Sequence, residues 1–231
     1  MISYVFHPQS VKADQGIIST SNAGIQGIFN TSKFLSLHTS NGRIDVDVGL
    51  SSVDESEPGL NLATTNAYVF WNQIFSLQMQ IFLIVKLPIF SSIHFSAITS
   101  KISLISDVGL GGSFHTAATT SNGRLDVDFP ASPPYSLLNF IGKTSNAQAV
   151  VSLNPAYEGL FFLQTSNSNV RVNHDKSVID PSGQDRKRSL SIKQGGKKLV
   201  AGEVYWGDAA DSKVAGSVSV RSSNAHVDLN V

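Results

Sequence analysis

Two pairs of aspartates carry the strongest chemical signal in the chain: Asp45 with Asp47, and Asp126 with Asp128. In an extended strand the i, i+2 spacing puts both carboxylates of a pair on one face. Paired carboxylates serve glycoside hydrolysis and the binding of hard cations. Each pair, however, follows a basic residue, Arg43 or Arg124, on the polar side of an alternating pattern. Solvated ion pairs are therefore the competing reading, and such pairs contribute little. The motif also occurs twice in one frame, which points to architecture, since an active site is ordinarily unique. No Gly-Gly-x-Gly-x-Asp repeat of the calcium-binding kind accompanies it.

The remaining candidates are weaker. His7, His38, His94, His115, His174 and His226 show no metal-ligand spacing. No Gly-x-Ser-x-Gly elbow and no phosphate-binding glycine loop occurs. The run Asp185-Arg-Lys-Arg188 reads as a solvated loop or as a local anion-binding or targeting patch. Tyr205 and Trp206 are either core or capping residues or the lining of a sugar-binding surface. The sequence assigns no catalytic, cofactor-binding or metal-ligating residue, and it implies no cofactor.

The elements that carry these residues are set by a repeat. A Ser/Thr-x-Asn punctuation recurs at Asn22, Asn41, Asn66, Asn122, Asn146, Asn167 and Asn224. Neighbouring copies follow at intervals of about 19 to 25 residues, except across two longer gaps. Counting from each Asn, positions +3, +5 and +7 are apolar in Ile44/Val46/Val48, Leu125/Val127/Phe129, Ala149/Val151/Leu153 and Val227/Leu229/Val231. The copies at Asn22 and Asn167 are looser, with Gly27 and His174 in the series. Apolar residues also precede the Asn at −6 and −4, as in Leu35/Leu37, Phe161/Leu163 and Val218/Val220. Period-two alternation marks strands with one buried face. Each unit is thus strand, tight corner, strand, with Asn, Gly and Ser/Thr suited to the corner. Asparagines stacked in one phase can form side-chain ladders.

The expected fold class is all-β, with a repeat architecture of the β-solenoid or β-helix kind. A hairpin meander folded as an antiparallel β-sandwich is the alternative. Residues 1–67 and 107–231 form the β-repeats, the second with a polar loop at about 173–198. Residues 68–106 form an apolar insertion that lacks clear punctuation, Thr99-Ser100-Lys101 being a degenerate copy. That segment reads as extra buried strands or a core helix, as a membrane span through 74–93, or as sequence foreign to the repeat such as a translated intron. Gln78, Gln80, Lys86 and Pro88 weigh against a span.

The bulk numbers narrow the partners. Lys+Arg and Asp+Glu are equal at 17 each, so no global field favours nucleic acid. With no cysteine, disulfides and thiolate metal sites are excluded. Met1–Pro8 lacks the pattern of a secretory leader, which makes the cytoplasm the default location.

Val200-Ala-Gly-Glu-Val-Tyr-Trp-Gly207 and Gly216–Val231, taken with the Thr-Ser-Asn repeats, resemble a fungal family of unknown function. That family is similar to bacterial adhesin-type proteins built from short β-repeats. The resemblance covers most of the chain outside 68–106, implies a β-repeat architecture, and brings no catalytic residues. The expected function is a non-catalytic structural or interaction protein, adhesin-like, using an extended strand surface against protein or carbohydrate. A polysaccharide-acting enzyme of the parallel β-helix kind and a membrane-attached protein are the alternatives.

Overall fold

The computed structural model describes residues 10–52, 57–65, 98–106, 111–208 and 216–231. Among them are 17 strands and no helix. The 8-stranded sheet runs in the spatial order β1 (Val11–Lys12), β3 (Ile25–Thr31), β5 (Ile44–Ser52), β7 (Ile98–Ser106), β9 (Leu125–Asp128), β11 (Ala149–Ser152), β17 (Val227–Asn230), β13 (Val170–Asn173). The 9-stranded sheet runs β14 (Arg188–Gly195), β15 (Leu199–Trp206), β12 (Gly159–Thr165), β16 (Gly216–Ser222), β10 (Leu137–Lys143), β8 (Ser113–Thr120), β6 (Gly59–Thr64), β4 (Phe34–Thr39), β2 (Gln15–Thr20).

Each unit places its first strand in the 9-stranded sheet and its second in the 8-stranded one. The Ser-Asn corner therefore carries the chain between sheets, as from β4 to β5 and from β16 to β17. Neighbouring strands in each sheet pair in parallel, in one shared register: Ile25, Ile44, Ile98, Leu125, Ala149, Val227 and Val170 form one row. An antiparallel sandwich is thereby excluded, because the corner closes no hairpin. Among the described residues antiparallel pairing occurs only where β15 meets β12 and β14. There Gly202 is required, since a Cβ would lie 2.3 Å from the Ser191 carbonyl oxygen.

The alternation read from the sequence is the alternation that buries the core. Ile44, Val46, Leu125, Val127, Val151, Val227 and Leu229 are all buried, and they join Leu35, Leu37, Phe161, Leu163, Val218 and Val220 in one cluster. Phe129 and Phe140, one from each side of the core, meet edge to face at 5.4 Å.

Two segments differ from their expected roles. Residues 98–106, the last part of the segment set apart as an insertion, form β7 in register between β5 and β9. Ile98, Ile102 and Leu104 fill its inward positions. Residues 66–97, which include Asn66 and the stretch 74–93, lie outside the described residues. Among the described residues no helix is long and apolar enough to cross a membrane. The polar stretch at 173–198 is not loop throughout, because β14 forms there and pairs antiparallel with β15.

The order of units in space is not their order in the chain. β16 lies between β10 and β12, and β17 between β11 and β13. Residues 216–231 thus bridge the units that precede them in sequence.

A hydroxyl relay joins successive corners. Thr39 Oγ accepts the Gly42 amide N–H of its own corner at 2.9 Å and donates to the Ala23 carbonyl of the neighbouring corner at 3.0 Å. Thr64, Thr144 and Thr165 donate in the same way to Gly42, Gly123 and Ala225, and Ser222 donates to Ala147. All of these hydroxyl residues are buried. The backbone is close here too: a Cβ on Gly42 would come within 2.0 Å of the Ala23 oxygen. Outside the relay, asparagine amides form ladders. Asn41 donates to Asn22 at 2.7 Å, and Asn146, Asn224 and Asn167 extend a second ladder from Asn122 at 2.6, 2.6 and 2.7 Å.

Thr39→Val keeps the shape of the side chain but strands one buried N–H and one carbonyl. Leaving such groups unpaired costs about 2 kcal/mol. The expected outcome is a lower urea midpoint with an unchanged slope; an unaltered midpoint would show that the relay is dispensable.

Candidate functional site

The aspartate pairs occupy the outward face of the 8-stranded sheet, as their alternation requires. Arg43 binds Asp45 and Arg124 binds Asp126, each at 3.1 Å, and all four side chains are well exposed. The two pairs are not neighbours. β7 separates them, so that Asp45, Thr99 and Asp126 form one row and Asp47, Lys101 and Asp128 the next. Carboxylates on β5 and β9 are therefore about 9–10 Å apart, two strand spacings, with Thr99 or Lys101 between them. Thr99-Ser100-Lys101, read from the sequence as a degenerate corner, lies within β7 instead, and that places Lys101 in register with Asp47 and Asp128. In the row of Asp45, Thr99 and Asp126, Asp228 accepts a 2.6 Å bond from Gln148, while its other carboxylate oxygen is buried without a partner.

Among the described residues no group of three or more His, Asp or Glu side chains is placed to hold an ion. His226 meets Ser168 at 3.0 Å, and His115 lies 3.7 Å from Glu57. His7 and His94 lie outside the described residues.

A polar groove of about 400 Å³ runs along the other side of the corners, on the face of the 9-stranded sheet. Its floor follows one register row, Thr119, Lys143, Arg221 and Gln164, on four adjacent strands. Ser121, Ser145, Ser223 and Ser166 of the corners form its wall. Arg221 is steadied by the Phe162 ring, whose centroid is 5.1 Å from the guanidinium carbon. Sequence reasoning missed this row, since Lys143 and Arg221 are distant in the chain and meet only because β16 inserts beside β10.

Near β15, the run Asp185–Arg188 is only in part the solvated patch its composition suggests: Asp185 and Lys187 are exposed, but Arg186 is half-buried and Arg188 buried. Arg186 grips Asp180 with a two-pronged contact, Nε to Oδ2 at 2.9 Å and Nη2 to Oδ1 at 3.1 Å, and reaches Glu158 at 3.4 Å. The Asp180 side chain is only 1% exposed. The guanidinium of Arg186, aided by bonds from Ser182, holds the Asp180 carboxyl far below the usual carboxylate range. Arg186 and Arg188 both face the Trp206 ring, at 6.0 and 5.7 Å. Trp206 is buried and donates its indole N–H to the Pro155 carbonyl at 2.9 Å, which makes it a packing residue. Arg188 is buried as well, and its Nε and Nη1 have no partner. Burial lowers its affinity for a proton, and nearby Asp175 and Glu158 only partly restore it. The same burial, with Arg188 nearby, pushes the His174 pKa down.

No protein-family model, no curated protein and no solved structure matches this chain.

The Asp180–Arg186 fork predicts a pH dependence of stability. The folded pKa of Asp180 lies below its unfolded value of about 3.9, so the stabilisation is present above that pH and is lost as pH falls toward the folded pKa. Asp180→Asn leaves the half-buried Arg186 with Glu158 as its remaining carboxylate partner and removes a charge-assisted fork, at a cost of about 2 kcal/mol near neutral pH. Urea midpoints at pH 7 and pH 3 check this: the wild-type chain should drop more than the variant. Parallel pH profiles would remove the fork from the account.

Proposed function

We propose that this chain is a non-catalytic, adhesin-like interaction protein whose units wind as an open β-solenoid. The observation that carries this reading is the repetition of surface groups in register. Asparagines recur at one-strand intervals along the ladder, and carboxylates recur at two-strand intervals in the Asp45/Thr99/Asp126 and Asp47/Lys101/Asp128 rows. A surface ruled in this way offers many equivalent contacts along its length. Catalysis instead calls for a few groups converging on one reacting atom. Affinity then accumulates through repeated weak contacts with an extended partner, as in other multivalent recognition.

A polysaccharide-acting enzyme is the second reading, favoured by carboxylates on neighbouring rows of an exposed parallel sheet. Against it stand Arg43 and Arg124, which neutralise Asp45 and Asp126, and Lys101, in register between Asp47 and Asp128.

The test is turnover. Purified protein incubated with pectin-type and glucan-type polymers should release no new reducing ends. A variant with Asp45, Asp47, Asp126 and Asp128 all changed to Asn should remain folded, its stability shifted by less than about 2 kcal/mol, as expected for exposed ion pairs. Polymer cleavage abolished by Asp126→Asn would establish the enzymatic reading instead.

A further inference from the structure

We infer that the corner-side groove of the 9-stranded sheet binds an acidic polysaccharide bearing carboxylates, with Lys143 and Arg221 as its anion-binding residues. This inference rests on the interaction reading above and specifies its ligand.

The first argument is electrostatic. Lys143 and Arg221 face each other directly across a parallel strand pair. Like charges in that position repel and destabilise the sheet unless an anion neutralises them. Among the described residues neither has an acidic partner, and no Asp or Glu lines the groove. Arg43, Arg124 and Arg186 each have a carboxylate partner, whereas Lys143 and Arg221 stand side by side in a concave site without one. Arg221 is also held against Phe162, which reduces the freedom it would lose on gripping a ligand.

The second argument is the chemistry of the wall. Apart from Lys143, Arg221 and Gln164, every lining residue is a serine or threonine. The relay consumes the hydroxyls of Thr144 and Ser222, but those of Ser121, Ser145, Ser166 and Ser223 are not used in it. A hydroxyl both donates and accepts, which matches the hydroxyls of a sugar ring. Arg offers a planar fork suited to a carboxylate.

The density of charge selects among polyanions. Two cations within a hydroxyl-lined groove suit a polymer with about one carboxylate per sugar. A phosphate backbone calls for several Lys/Arg contacts along its track. An acidic peptide would add as a strand at a sheet edge, whereas this groove lies over strands already paired on both sides.

The experiment measures binding of polygalacturonate to the full chain by calorimetry at low salt. Neutral glucan, dextran sulfate and poly-glutamate serve as competing probes. Saturable binding of polygalacturonate is expected, weakened at least about tenfold by Lys143→Gln with Arg221→Gln, and weakened by added salt. Arg43→Gln with Arg124→Gln, on the opposite face, should leave it unchanged, and circular dichroism should show both double variants folded. The inference is overturned if polygalacturonate does not bind, if dextran sulfate or poly-glutamate binds more tightly, or if the groove variant binds normally. Those outcomes leave the interaction reading standing. Cleavage of the polymer would overturn that reading itself.

Discussion

The architecture depends on a buried threonine hydroxyl that serves two corners at once. A tight corner between sheets leaves backbone groups that neither sheet can satisfy, and water is excluded from them. Thr39 resolves this by accepting within its own corner and donating to the next. The exposed asparagine ladders look more conspicuous but decide less, since water competes for every amide they pair. A net hydrogen bond contributes about 1 kcal/mol, whereas a buried group left unpaired costs up to about 3 kcal/mol. The hydroxyl, not the amide, sets where one unit sits on another. Both relays run in one direction along the molecule, so their dipoles add and each bond polarises its neighbour.

Once the corners fix the register, the faces follow without further instruction. Inward rows become uniformly apolar, and outward rows inherit whatever the polar positions contain. Function in such a molecule is a property of rows, because residues remote in sequence become neighbours at one strand spacing. Asp47, Lys101 and Asp128 illustrate this on one sheet, and Lys143 with Arg221 on the other.

The sequence made the unit legible and left the assembly opaque. Corner chemistry and period-two alternation are local, so Asn41 or Asn224 and the buried Val46 or Leu229 can be read from a dozen residues. Whether a unit pairs in parallel or folds back as a hairpin depends on where its next neighbour comes from, and local pattern does not say. The units are also nearly interchangeable: β17 fits between β11 and β13 because all share the same register. Nothing in residues 216–231 announces that they sit between earlier units. Arg188 was misread for a related reason. Its run of charges looks solvated, and only the antiparallel pairing of β14 with β15 brings it beneath Trp206. The groove pair was invisible because its two halves meet only through that same insertion.

The placement of β16 and β17 bears on how the protein is made. A ribosome delivers residues 216–231 after β12, β13, β14 and β15, yet among the described residues those strands pair with the earlier ones in the two sheets only through β16 and β17. During synthesis β10 and β11 each present a bare parallel edge, and so do β12 and β13. Unpaired edges of this kind invite pairing with other chains. The nascent protein must keep a slot open and then receive a two-strand wedge into it. Folding therefore cannot finish unit by unit in step with translation, although the sequence repeats unit by unit. Contacts spanning tens of residues close last, which slows the final step and lengthens the interval in which a chaperone would be of use.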